Sequence, residues 1–105
     1  MPYFLVLLQP VAGAGTSPDH EPFVDWLLAR NLVLLGGELE PPSSGVDAAY
    51  VLSCASLDEA RDLVARDPLV SSGCMLADVV EWQLVGVNPT AVEPELLLGP
   101  DDVVS

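Results

Sequence analysis

The chain alternates short apolar runs with stretches of helical periodicity. Residues 3–9 (YFLVLLQ) are continuously apolar and end at Pro10, which predicts a strand covered on both faces. The small residues of 11–18 predict a loop. Phe23, Trp26, Leu27 and Arg30 follow at helical spacing, so a helix is predicted from about Asp19 to Asn31. Pro18 or Pro22 is tolerated in its first turn, where no internal donor is required. Asn31 stands where a left-handed helix stop is needed, and asparagine accepts that conformation.

Residues 32–39 (LVLLGGEL) predict a second strand, with Gly36-Gly37 marking a bulge or a close approach. Residues 40–46 read as a loop by composition, and 47–55 (DAAYVLSCA) as a third strand. Ser56 and Glu59 form a capping box for a second helix, with Leu57, Ala60, Leu63 and Val64 on one face. Asp58–Arg61 and Asp62–Arg66 are spaced as helical ion pairs. The helix should stop before Pro68, leaving Asp67 at a C-terminus, where a negative charge is disfavoured. Residues 75–87 (MLADVVEWQLVGV) predict a fourth strand.

The order βαββαβ predicts an α+β, ferredoxin-like domain over 1–87: an antiparallel sheet of order 4-1-3-2 with two helices on one face. Residues 88–105 form an acidic, proline-punctuated tail with one apolar knot, Leu96, Leu97 and Leu98. The first two strands are apolar on both faces, yet two helices cover only one. A second copy packing sheet to sheet is the simplest cover, so a homodimer is expected, with the tail knot docking on the mate or on the sheet edge.

Composition narrows the function. Of 105 residues half are hydrophobic, and 16 acidic against 3 basic side chains give a net charge of -13. The basic residues are Arg30, Arg61 and Arg66; there is no lysine. High hydrophobicity excludes intrinsic disorder. Three arginines make no basic stripe for nucleic acid, and the charge opposes anionic membrane surfaces. No apolar run reaches the ~20 residues that span a bilayer, and the opening segment reads as a strand rather than a secretory leader. A cytoplasmic protein is expected, with Cys54 and Cys74 reduced. Strand order separates the two cysteines, which disfavours a disulfide.

Few residues can carry chemistry. His20, the single histidine, opens the first helix. It is either a solvent-exposed first-turn residue or a general acid/base, since imidazole titrates near working pH. Asp67, held by the following proline, is the candidate partner that would orient its ring. No nucleophile motif, phosphate loop or metal-ligand spacing is present, so no metal and no cofactor is expected. Trp26 and Trp82 read as core or interface anchors.

These residues resemble the YCII-related (YciI-like) family. His20 opens the first helix, a turn residue follows eleven positions later at Asn31, and Gly37 lies six beyond that. The family's Asp-Pro-x-Val-x-x-Gly stretch is matched by Asp67-Pro68-Leu69-Val70-Ser71-Ser72-Gly73. The resemblance spans residues 3–87. It implies a dimeric α+β barrel in which His20 and Asp67 form a catalytic dyad beside the sheet. The best-known enzymatic relative eliminates hydrogen chloride from a chlorinated hydroxyquinol. Asn31 replaces the family's usual turn glycine, while Glu38 and Glu81 replace usual prolines at the pocket rim or dimer edge. The expected function is a cofactor-free lyase or isomerase acting on a small neutral or weakly polar compound. A non-catalytic binding module and a cofactor-free monooxygenase remain open on the same scaffold.

Overall fold

The computed structural model describes residues 2–97. Its elements are β1 (Tyr3–Pro10), α1 (Glu21–Ala29), β2 (Val33–Ser43), β3 (Val46–Ser53), α2 (Leu57–Ala65), α3 (Pro68–Ser71) and β4 (Met75–Trp82). The four strands form one antiparallel sheet of order β2-β3-β1-β4. This is the expected ferredoxin-like α+β arrangement, with one further helical turn, α3, between α2 and β4.

Alternation along β1 sends Phe4, Val6 and Leu8 into the core and leaves Tyr3, Leu5 and Leu7 half-buried on the opposite face. Phe23 and Leu27 of α1, and Ala60, Leu63 and Val64 of α2, close over the inward set. Each large side chain buried there contributes roughly 1.5–3 kcal/mol. Local signals hold both helices in place. Ser56 Oγ accepts from the Glu59 backbone N–H at 3.1 Å. Asn31 takes φ 54° after α1, and the Leu32 N–H reaches back to the Leu27 carbonyl at 3.0 Å.

Three expectations need correction. Residues 40–46 are not a loop: β2 runs through Pro41 and Pro42 to Ser43 and turns into β3 across Ser44 and Gly45. Both turn residues have positive φ (54° and 81°), which matches the twist of a two-residue hairpin. The prolines are accommodated because β2 is an edge strand, where a missing N–H costs no ladder bond. The fourth strand ends at Trp82, not at 87, because its pairing partner runs out: Trp82 lies opposite Tyr3, the first residue of β1. Finally, neither Asp58–Arg61 nor Asp62–Arg66 closes as an ion pair. Exposed pairs of this kind are worth only tenths of a kcal/mol. The Arg66 guanidinium lies instead over the Trp26 ring, 5.6 Å from its centroid, and Arg30, expected on the apolar face of α1, lies over it at 4.3 Å.

Register places Leu35, Val51, Leu5 and Val80 in one row across the face turned away from the helices. Leu35, Val80 and Trp82 on this face are exposed. Beyond β4 the chain makes two short turns, Pro89–Ala91 and Pro94–Leu96. Leu96 and Leu97 are exposed, and Leu98 lies outside the described residues. Among the described residues no helix is long and apolar enough to cross a membrane.

Candidate active site

Asp67 is not the strained helix C-terminus that its sequence neighbours suggest. The α2 helix ends at Ala65, and Asp67 caps the N-terminus of α3, its Oδ1 accepting from the Leu69 backbone N–H at 2.9 Å. A carboxylate is favoured at that end of a helix. Pro68 in the first turn lacks only a donor that would have been unpaired. The side chain is fully buried, with no residual exposure. A charge so placed must have its oxygens occupied.

Its second oxygen meets the predicted partner. His20 Nε2 lies 2.9 Å from Asp67 Oδ2, across 47 residues of chain. His20 is the residue preceding α1, and its side chain gives α1 no capping hydrogen bond. The ring is instead stacked on Phe23, with centroids 5.7 Å apart, and retains 27% exposure. An ionised carboxylate can only accept, so a neutral ring that makes this hydrogen bond carries its hydrogen on Nε2 and its lone pair on Nδ1.

A third member went unpredicted. The Tyr50 hydroxyl donates to the same Asp67 Oδ2 at 3.0 Å. Burial, reinforced by the adjacent Asp67 charge and this hydrogen bond, pushes the phenol far above its ordinary range, so it remains a donor. The one available signal was its position on an inward-facing point of a strand, where a tyrosine hydroxyl must find a partner. The sequence does not say which partner.

These groups border a cavity of about 600 Å³ between α1, the β2–β3 hairpin and α3. Leu8, Leu27, Leu35 and Leu69 give it apolar walls, and His20 and Tyr50 are among its polar lining. Glu38, Glu40 and Asp47 also line it, and no arginine does. Trp26 and Trp82 are not in its lining. Cys54 and Cys74 are free and buried away from the cavity. Burial, and after it the nearby Glu59, push the Cys54 thiol up, against a lowering hydrogen bond from the Ser56 backbone.

A four-stranded antiparallel sheet with a histidine–aspartate pair beside a cavity defines a small α+β domain of the ferredoxin-like kind. The chain belongs to the YCII-related domain family, whose model matches residues 6–83. It is 37% identical to the uncharacterized protein YjpA of Bacillus subtilis (strain 168) over 65 residues, 62% of this chain and 73% of that protein. Among solved structures it is similar in fold to 5-chloro-2-hydroxyhydroquinone dehydrochlorinase (TftG) from Burkholderia phenoliruptrix AC1100, in complex with 2,5-dihydroxybenzoquinone. That match has a TM-score of 0.60 at 18% identity and covers 77% of this chain and 93% of the other.

Proposed function

We propose that the protein is an acid–base enzyme of the lyase or isomerase type, with His20 as the base and Asp67 as the residue that orients it. The observation that carries this reading is the 2.9 Å contact between His20 Nε2 and a wholly buried carboxylate at the edge of the cavity. A buried carboxylate aimed at a part-exposed imidazole supports a proton acceptor at Nδ1 and stabilises the imidazolium formed when it takes a proton.

In an elimination, Nδ1 takes a proton from the substrate (from a hydroxyl where the substrate is a phenol), the freed electron pair becomes a new π bond, and the leaving group departs with its own pair. The imidazolium then returns its proton to solvent. In an isomerisation the same proton goes back to a different substrate atom. The apolar walls, the acidic lining and the lack of any lining arginine support a neutral or weakly polar organic substrate; an anion would meet Glu38, Glu40 and Asp47. A homodimer joined through the exposed face carrying Leu35, Val80 and Trp82 is part of the same reading, with the tail after residue 87 lying outside the enzyme domain.

The test uses 5-chloro-2-hydroxyhydroquinone, the compound named for the similar fold, with chloride release as the readout. Turnover is expected in the native protein and should fall roughly 10²–10⁴-fold in His20→Ala. Equal release by both proteins, or none by either, overturns the reading. Binding of 2,5-dihydroxybenzoquinone without turnover would instead support a binding module, and oxygen-dependent turnover a monooxygenase.

A further inference from the structure

Tyr50 lies in a cross-strand row with Gly36, Val6 and Val79 that faces the helices. Packing alone would be served by phenylalanine. What tyrosine adds is one hydroxyl, and that hydroxyl goes to the carboxylate oxygen that also holds His20.

The Asp67 carboxylate therefore receives three donors from three parts of the chain. The Leu69 N–H holds Oδ1 from within α3, while Tyr50 from β3 and His20 from ahead of α1 share Oδ2. Fixed at both oxygens, the carboxylate has no freedom to rotate about its Cβ–Cγ bond. Were Tyr50 to lose its hydroxyl, the Leu69 N–H would still hold Oδ1, but Oδ2 would have no anchor other than His20 itself, so the carboxylate could shift with the imidazole instead of fixing it. The phenol serves this role over the whole working range because burial keeps its proton in place.

We propose that Tyr50 is a positioning residue of the site. Acting through Asp67, it holds His20 as the Nε2–H tautomer and leaves Nδ1 as the atom that exchanges protons with substrate. The catalytic consequence rests on the reading of His20 as the base; the tautomer itself does not.

His20 is the single histidine of the chain, so ¹⁵N-histidine labelling of untagged protein yields one imidazole signal set. Long-range ¹H–¹⁵N correlation of the neutral ring is expected to show Nε2 protonated and Nδ1 of pyridine type. An Nδ1–H ring in the native protein overturns the proposal without any variant. In Tyr50→Phe, with the backbone amide spectrum showing a retained fold, the two nitrogens are expected to move toward averaged shifts as both tautomers are sampled. A ring spectrum identical to the native one overturns the proposal. On 5-chloro-2-hydroxyhydroquinone, Tyr50→Phe is expected to lower kcat roughly tenfold or more at little-changed KM. A raised KM with native kcat would make Tyr50 only a wall of the cavity and overturn the positioning role. If the native protein turns over nothing, the function reading fails while the tautomer measurement still decides the role of Tyr50.

Discussion

Gly36 on β2 lies directly opposite Tyr50 on β3, and a Cβ added to Gly36 would stand 2.8 Å from the Tyr50 Cβ. No side chain fits there without moving the strand pair that carries the phenol. Gly36→Ala is therefore expected to destabilise the protein by about 1–3 kcal/mol, the usual cost of overpacking. Gly37, next in sequence, has nothing within 4 Å of its added Cβ, so Gly37→Ala should be tolerated. Denaturant midpoints of the two variants check the contrast; equal midpoints would contradict it.

Asp67 has three donors to satisfy. Asp67→Ala leaves the buried Leu69 N–H and the Tyr50 hydroxyl without their acceptor and removes a helix cap. A loss on the order of 3–5 kcal/mol is expected, read as a lowered thermal or denaturant midpoint. Asp67→Asn keeps the shape but turns an amide N–H₂ toward at least one of the donors. Its activity should fall with its fold largely retained, because the imidazole no longer has a single favoured tautomer.

Alkali should weaken the fold through Tyr50. Its phenol is held far above the ordinary value of ~10 in the folded protein, while the unfolded chain titrates normally. Above pH ~10 the unfolded state has lost this proton and the folded state has kept it, so each further pH unit favours unfolding by about 1.4 kcal/mol. The contribution is complete below pH ~10 and is lost as pH rises beyond it. Tyr50→Phe should start from a lower stability and show a shallower decline. Urea midpoints of both proteins between pH ~9 and ~11 test this; parallel slopes would refute it.

The uncovered sheet face predicts its own failure. Val80 is exposed at the end of the row that joins Leu35, Val51 and Leu5. A carboxylate placed there is solvated in a monomer and desolvated in a sheet-to-sheet dimer. Val80→Asp is thus expected to shift sedimentation from dimer to monomer while leaving the circular dichroism spectrum unchanged. A native protein that sediments as a monomer would remove the basis for the prediction.

The order of elements was legible because its signals are local. Apolar runs separated by helical spacing, the Ser56–Glu59 box and the Asn31 stop each need only a few neighbouring residues to act. His20 and Asp67 were legible as well, through their motif and through the scarcity of other reactive groups. The misreadings share a cause. Pro41 and Pro42 look like loop residues until the strand carrying them is known to be at the sheet edge. The end of β4 depends on where β1 begins, and Asp67 looked misplaced until the chain turned after it to form α3.

The amino-acid sequence by itself therefore determined the order of the main strands and helices, the apolar surplus, the want of cations and the candidate pair His20 and Asp67. Tertiary structure alone decided that Tyr50 and His20 meet at one oxygen of Asp67. Those contacts span 17 and 47 residues, and only the β3 register and the approach of the segment ahead of α1 to the N-terminus of α3 bring them together. Hydrogen bonding is satisfied in space, not along the chain. No local pattern distinguishes a tyrosine that fills a core from one that also holds a carboxylate in place.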